Sequence, residues 1–165
     1  VCSSDLFYMS AEVGSKAPAF VLLDTDGNEY NSNNLAGKKA VIAFFPAAFT
    51  GVCAEELCTF RDSLAEFSAL DAEVLGVSVD GRFANGAFRD QNNLPFPVLS
   101  DYKQTAIADY DVVFPDFAGM SGYTAAQRSV FVVGTDGNIA WKWLSDVPSD
   151  LPPFDQVKAA VESAN

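Results

Sequence analysis

Residues 39–58 read KAVIAFFPAAFTGVCAEELC, and this stretch decides the fold. Its first seven residues are almost entirely apolar, which is typical of a central strand buried on both faces of a sheet. Pro46 ends the strand, because proline has no backbone N–H to donate to a neighbouring strand. From Val52 onwards apolar residues recur every three or four positions, so we predict an amphipathic helix over 52–69. The stretch is therefore a buried strand, a loop and a helix.

Similar patterns outside this stretch predict further strands and helices. The predicted strands are 19–23, 29–31, 73–79, 96–99, 129–134 and 139–145, and the predicted helices are 82–91, 105–110 and 154–163. Asp and Gly residues at 24–28 and 135–138 predict two hairpin turns. Strands that alternate with helices and end in a hairpin and a helix predict an α/β fold, with a mixed central sheet and helices on both faces.

Domain organisation follows from length and uniformity. The chain has 165 residues, and no repeat, linker or low-complexity tract interrupts it. This length suits one domain with a single core, which we expect over 10–165. Residues 1–9 are expected to be a non-native or disordered tail, so Cys2 is not counted among the candidate catalytic residues. The N-terminus lacks the basic and apolar regions of a secretory signal, so we expect a cytoplasmic protein.

The charge balance excludes several classes of partner. The chain carries 22 acidic and 10 basic side chains, which give a formal net charge of −12. This negative charge argues against binding to nucleic acid or to an anionic membrane. The longest apolar run, 40–49, is too short to cross a bilayer, which takes about 20 residues, so we expect a soluble protein. The acidity is typical of a solvated surface or of adaptation to high salt, and both interpretations stay open.

The chain contains no histidine, which limits the available chemistry. Histidine-dependent triads, zinc proteases and most mononuclear metal sites are excluded, and we expect neither a metal nor a cofactor. Two internal cysteines remain, Cys53 and Cys58. In a reducing compartment they are more often catalytic or redox-active than structural.

Cys53 lies just after the buried strand, in the first turn of the predicted helix. Unpaired N–H groups and the helix dipole favour a thiolate at this position. Lowering the pKa of a cysteine from about 8.5 to about 6 requires about 3.4 kcal/mol. A helix dipole contributes only about 0.3 to 2 kcal/mol. A second positive charge is therefore needed, and without histidine it must be a lysine or an arginine.

The residues around Cys53 carry a known signature. Pro46, Thr50 and Cys53 match the Pro-x-x-x-Thr-x-x-Cys motif of peroxiredoxins, and nearly the whole chain resembles this family. Glu56 falls where the family usually carries a glutamate, and Arg128 stands where it places its active-site arginine. The resemblance implies a thioredoxin-like fold and a thiol-dependent peroxidase.

The same resemblance implies a role for each residue. Cys53 would be the peroxidatic nucleophile, which attacks the terminal peroxide oxygen and becomes a sulfenic acid. Thr50 and Arg128 would orient and stabilise the thiolate and the peroxide. Pro46 would screen the pocket from water, and Glu56 would hold Arg128 through an ion pair. Taken singly, each residue also has an ordinary interpretation. Thr50 could be a plain helix cap and Pro46 a strand terminator. Arg128 could be a surface arginine and Glu56 a solvated carboxylate.

Cys58 has two interpretations. Its spacing from Cys53 is similar to that of the bacterioferritin-comigratory or Q type, in which a second cysteine of the same helix resolves the sulfenic acid, whereas residues 49–53 look more like the alkyl hydroperoxide reductase E type. In an intact helix the two Cα atoms are roughly 8.7 Å apart, and a disulfide needs less than about 7 Å. Resolution therefore requires the first helical turns to unwind. We favour this role over that of an inert core cysteine.

The sequence thus predicts a peroxidase that reduces H2O2, organic hydroperoxides or both. The expected reductant is a thiol such as thioredoxin, glutaredoxin or a small thiol. One alternative is a thioredoxin-like disulfide oxidoreductase, but the chain has no Cys-x-x-Cys pair. Another is a redox-sensing or binding protein without turnover. The oligomeric state stays open, with a homodimer as one option.

Overall fold

The computed structural model describes residues 11–165, and strands and short helices alternate through them. The predicted tail over 1–9, with Cys2, lies outside the described residues. The strands are β1 (Val21–Leu23), β2 (Glu29–Asn31), β3 (Lys39–Phe44), β4 (Ala72–Ser78), β5 (Val98–Ser100), β6 (Val113–Phe114), β7 (Ala125–Ala126), β8 (Ser129–Val133) and β9 (Ile139–Leu144). The α-helices are α1 (Gly51–Asp62), α2 (Leu64–Ala69), α3 (Arg82–Gln91), α4 (Thr105–Asp109) and α5 (Phe154–Ser163), and 3₁₀ turns lie at Ser32–Leu35 and Phe117–Gly119.

A single mixed sheet organises the molecule. Its strand order is β2-β1-β5-β4-β3-β8-β9. Strands β3, β4 and β5 are parallel, whereas β1 pairs antiparallel with β5, and β8 pairs antiparallel with β3 and β9. The predicted mixed sheet is confirmed, and the apolar strand that opens the deciding stretch lies inside it as β3.

The two faces of β3 pack into separate hydrophobic cores, because successive side chains of a strand point to opposite sides. Ile42 and Phe44 belong to the core that includes Ile107 of α4. Val41 and Ala43 belong to the other core, to which α1, α3 and α5 contribute Leu57, Phe88 and Val157. The prediction of helices on both faces is therefore confirmed.

The predicted hairpin turns form around aspartate side chains. In the first turn, Asp24 Oδ1 accepts hydrogen bonds from the N–H groups of Asp26 and Asn28, both at 2.9 Å. In the second, Asp136 Oδ1 accepts a hydrogen bond from the Asn138 N–H at 3.0 Å. In a tight turn these N–H groups lack backbone acceptors, and the aspartate side chains accept their hydrogen bonds instead.

The helix predicted over 52–69 is interrupted, so the prediction of one continuous helix is wrong. Ser63 has φ −98° and ψ 3°, outside the helical region, and it separates α1 from α2. Serine favours helix ends because its hydroxyl competes for backbone hydrogen bonds. The apolar spacing nevertheless continues across the break, since the rings of Phe60 and Phe67 pack with centroids 6.0 Å apart. Both helices therefore bury the same side, which is why periodicity alone did not reveal the break.

Phe44 provides a test of this packing. The side chain is fully buried on β3, with its ring 5.2 Å from that of Tyr110 and 5.8 Å from that of Phe131. We expect Phe44→Ala to lower the free energy of unfolding by about 3 to 5 kcal/mol, because it leaves a cavity. Urea denaturation measures this loss. The matched control is Phe83→Ala on the 75% exposed Phe83, for which we expect less than about 1 kcal/mol. Equal losses would contradict the position of β3 in the core.

Candidate active site

The loop over 45–50 joins β3 to α1 and determines where the helix begins. Thr50 occupies the N-cap position with an extended backbone (φ −85°, ψ 144°). The Ala54 N–H donates the first helical hydrogen bond to the Thr50 carbonyl at 3.0 Å. Cys53 precedes Ala54, so its N–H is among those that a helix start leaves without a helical partner. Its side chain is fully buried. As predicted, Cys53 lies in the first turn of the helix.

A guanidinium group lies against the Cys53 sulfur. Arg128 directly precedes β8, and β8 pairs with β3 in the register that sets Ser129 opposite Phe44. This register brings Arg128 to the carboxyl end of β3, beside the start of α1. Arg128 Nη2 donates a hydrogen bond to Cys53 Sγ at 3.2 Å, across 75 residues of sequence. The structure therefore brings together the thiol and the arginine that the sequence singled out.

Two further groups hold the Arg128 guanidinium. Nη1 donates a hydrogen bond to Glu56 Oε2, in an ion pair whose two side chains are buried. Glu56 follows Cys53 by three residues, so both side chains project from the same face of α1. Nε and Nη2 donate to the Pro148 carbonyl oxygen at 3.1 and 3.0 Å. The guanidinium thus joins α1, β8 and the segment between β9 and α5.

One cation serves two acidic groups in this buried cluster. Burial opposes the charge of Arg128, but the nearby Glu56 and Cys53 outweigh it and raise the pKa of Arg128, so this side chain stays protonated. Burial raises the pKa of Glu56 to about 7, although the charge and hydrogen bond of Arg128 act in the opposite direction. Glu56 Oε1 has no hydrogen-bond partner among residues 11–165, which leaves an ionised carboxylate incompletely stabilised. Glu56 is therefore only partly ionised near neutral pH.

Thr50 and Pro46 both lie in the loop that precedes α1. The Thr50 hydroxyl makes no capping hydrogen bond to the helix and instead donates to the Ala47 carbonyl at 3.2 Å. Pro46 is buried directly after Phe45, whose N–H donates to the Val77 carbonyl at 2.9 Å. Thr50 therefore marks the helix start through its backbone, and its hydroxyl is not used to cap the helix.

Cys58 lies apart from this cluster, in the second half of α1. It is half-buried, and its Sγ lies 3.6 Å from Asn92 Oδ1 at the end of α3. Arg61 Nη1 donates to the Asn92 carbonyl at 2.6 Å. Both Cys53 and Cys58 are free thiols. The partial exposure of Cys58 differs from that of a residue enclosed in the core.

Two other kinds of site, a metal centre and a membrane-spanning helix, would need features that residues 11–165 lack. Within residues 11–165, no group of three or more His, Cys, Asp or Glu side chains is arranged to hold a metal ion. The helices of this described part are all too short or too polar to cross a membrane.

Comparison with known proteins decides the family. The family model described as AhpC/TSA family matches residues 13–142. Peroxiredoxin Bcp of Bacillus subtilis is 33% identical to this chain, over 82% of the chain and 86% of its own length. The chain belongs to the AhpC/TSA family of peroxiredoxins.

Solved peroxiredoxin structures are similar to this peroxiredoxin in fold. Peroxidoxin BcpB from Mycobacterium tuberculosis has a TM-score of 0.81 at 27% identity, with coverage of 92% of this chain and 97% of that one. Peroxiredoxin Q of Xanthomonas campestris has a TM-score of 0.77 at 26% identity, with coverage of 87% and 90%. These findings confirm the thioredoxin-like fold and the enzyme class predicted from the sequence, a thiol-dependent peroxidase. Such peroxiredoxins act on peroxides with thiol reductants.

Sequence reasoning missed two groups that shape the site of this peroxiredoxin. One is the Pro148 carbonyl, for which the sequence holds no signal because every residue carries a carbonyl group. The other is Asp80, whose Oδ2 accepts a hydrogen bond from the Ala48 N–H at 2.8 Å. A signal for Asp80 did exist. It follows β4, and the parallel strands β3 and β4 end at the same edge of the sheet.

The raised pKa of Glu56 predicts a pH effect on stability. The unfolded chain ionises this carboxyl near pH 4.5 and the folded protein near pH 7, so the folded state holds the extra proton between these values. Stability that Glu56 contributes below pH 4.5 is therefore lost as the pH rises towards 7. Relative to Glu56→Gln, we expect the wild-type free energy of unfolding to fall by up to about 3 kcal/mol, at about 1.36 kcal/mol per unit. Urea denaturation across this range measures the difference.

The same substitution at the exposed Glu55 controls for the loss of one carboxylate from α1. Wild-type and Glu56→Gln curves that run parallel from pH 4.5 to 7 would show that Glu56 does not hold this proton.

Proposed function

We propose that Cys53 is the nucleophile of this thiol peroxidase and attacks the terminal oxygen of a hydroperoxide. The observation that carries the proposal is the 3.2 Å contact between Arg128 Nη2 and Cys53 Sγ inside a buried cluster. A cation stabilises a thiolate more strongly there than in water, because the surrounding dielectric is low. In the reaction an S–O bond forms and the O–O bond breaks. Cys53 becomes a sulfenic acid, and the leaving hydroxide or alkoxide takes up a proton.

Donors around Cys53 are suited to the charge that develops on the leaving oxygen. The Arg128 guanidinium and the N–H groups of Val52 and Cys53 are already oriented, so little reorganisation accompanies the reaction. A hydroxyl has one hydrogen and two lone pairs. Thr50 can therefore accept a hydrogen bond from the peroxide while it donates to the Ala47 carbonyl. The buried Pro46 limits the access of water to the loop.

We assign the resolving role to Cys58. The Cys58 thiol gives up its proton and its sulfur attacks the sulfur of the Cys53 sulfenic acid, so that an S–S bond forms, the S–O bond breaks, and the leaving hydroxide takes up the proton to become water. Both cysteines lie in α1, and an intact helix separates their Cα atoms by roughly 8.7 Å, beyond the limit of about 7 Å for a disulfide. The helix must therefore open. Oxidation favours this opening, because a neutral sulfenic acid loses the ionic attraction that holds the Cys53 thiolate to Arg128.

Contacts at the far end of α1 indicate which part opens. Cys58 approaches the Asn92 side chain, and Arg61 donates to the Asn92 carbonyl. These contacts tie the second half of α1 to the end of α3. The opening therefore falls on the first turns, and Cys53 moves towards Cys58.

A thiol reductant completes the cycle by reducing the disulfide, and thioredoxin or a small thiol has the required chemistry. H2O2 is the simplest substrate. Organic hydroperoxides are the second substrate class, because Phe49, next to Thr50, is 53% exposed and offers an apolar surface beside the site.

Two serine variants test the assignment of the cysteines. Stopped-flow reaction of the reduced protein with peroxide should be abolished in Cys53→Ser, which lacks the nucleophile. In Cys58→Ser the initial attack should proceed at the wild-type rate, because Cys58 acts only afterwards. After one equivalent of peroxide, mass spectrometry should find a Cys53–Cys58 disulfide in the wild-type protein and a sulfenic acid at Cys53 in Cys58→Ser.

Each assignment has its own contrary result. Full peroxide reactivity in Cys53→Ser would refute the nucleophile. A persistent Cys53 sulfenic acid in the wild-type protein, with no disulfide, would refute the resolving role and leave the nucleophile intact.

A further inference from the structure

We infer that Asp80 is a positioning residue for the peroxide step, an inference that rests on the proposed role of Cys53. Asp80 lies two residues beyond β4, outside the cluster around Arg128. Its Oδ2 accepts a hydrogen bond from the Ala48 N–H at 2.8 Å. Ala48 belongs to the loop between β3 and α1. Asp80 thus holds the loop from which the nucleophile-bearing helix starts.

This loop contains a backbone conformation that needs support. Phe49, the residue after Ala48, has φ 67°, in the left-handed region that a residue with a Cβ rarely adopts. Such conformations persist only where the surrounding structure holds them. Two contacts do so here, the Ala48 hydrogen bond to Asp80 and the edge-on packing of the Phe49 ring on Phe88, with centroids 5.6 Å apart. Thr50 and the first turn of α1 follow at once.

Asp80 is itself held by neighbours from other elements. Ser78 Oγ lies 3.0 Å from Asp80 Oδ2 and 2.9 Å from Asn85 Oδ1, and its one hydrogen serves one acceptor at a time. Asn85 is buried in α3, and its Nδ2 donates to the Leu99 carbonyl at 3.3 Å. Ser100 Oγ donates to the Asp80 carbonyl. Asn85 Nδ2 also donates to this carbonyl at 3.4 Å, so the main chain of Asp80 is tied to α3 and to β5, while Ser78 Oγ lies against its carboxylate.

The consequence for the reaction is geometric. Arg128 takes its position from β8, which it directly precedes, whereas Thr50 and Cys53 take theirs from the loop. Without the Asp80 contact, Phe49 can relax towards an ordinary conformation, which shifts the start of α1 relative to Arg128. Displacement of reacting groups by about 1 Å costs about 10²-fold in rate. Asp80 acts through Ala48 and does not itself touch the peroxide.

A pair of substitutions tests this inference. Asp80→Ala removes the acceptor, and we expect the second-order rate constant of the reduced protein with H2O2 to fall by about 10- to 100-fold. Asp80→Asn keeps an oxygen acceptor of the same shape for the Ala48 N–H, so its rate should stay near that of the wild type. Rates are measured by stopped flow and divided by the folded fraction from circular dichroism. If Asp80→Ala does not fold, Asp80→Ser, whose side chain is too short to reach Ala48, takes its place with the same expectation.

Asp101→Ala is the matched control for a loss of stability. Asp101 follows β5, and its carboxylate accepts hydrogen bonds from the N–H groups of Thr105, Ala106 and Ile107 at the start of α4. Its removal should destabilise the fold and leave the rate per folded molecule unchanged.

The outcomes separate this inference from the proposed function. A wild-type rate in Asp80→Ala, an equal loss in Asp101→Ala, or an equal loss in Asp80→Asn would overturn the role of Asp80. In each case the absence of reaction in Cys53→Ser would still support the nucleophile. Reaction in Cys53→Ser at the wild-type rate would instead overturn the proposed function.

Discussion

The hydrogen bond between the Arg128 guanidinium and the Cys53 sulfur is the contact on which the rest of the site depends. Its two partners lie 75 residues apart, and the antiparallel register of β3 and β8 brings them together. The abrupt end of β3 allows α1 to start beside Arg128, so that the helix start and the guanidinium both act on one sulfur. The two cores on either side of the sheet keep this register, because a slip by one residue would turn every side chain of β3 to the wrong face.

A buried guanidinium needs partners, and the choice of partners decides how much of its charge reaches the sulfur. Glu56 and the Pro148 carbonyl satisfy the donors of Arg128 and fix its plane. A fully ionised Glu56 would take much of the positive charge for itself. Burial raises the pKa of Glu56 to about 7, which limits this competition near neutral pH. Because burying a second charge is costly, Glu56 is only partly ionised, and more of the positive charge of Arg128 stays available to the Cys53 sulfur.

Much of the fold could be predicted from the sequence, because β3 and the helices carry strong apolar periodicity. The limits of α3 and α5 were predicted to the residue, as 82–91 and 154–163. The break at Ser63 was not predicted, because the apolar spacing of the helix continues across it. The strands β6 and β7 were not predicted, because two residues are too few to show an alternation of apolar and polar side chains. Family spacing predicted the site residues Pro46, Thr50, Cys53, Glu56 and Arg128, and the structure brings Cys53, Glu56 and Arg128 into contact. Pro148 was not predicted, because its carbonyl contact depends on how distant segments meet in the folded chain. Asp80 was overlooked, although its position after β4 places it at the edge of the sheet where β3 also ends.

The most direct test of this account is the second-order rate constant for the reaction of H2O2 with folded, reduced Arg128→Gln. Loss of the guanidinium should lower this rate at least about 10²-fold, the effect of removing one preorganised donor from a developing negative charge. Arg61→Gln, which removes a partly exposed guanidinium from α1, the helix that carries Cys53, should leave the initial rate unchanged. A wild-type rate in folded Arg128→Gln would contradict the claim that Arg128 sustains the Cys53 nucleophile.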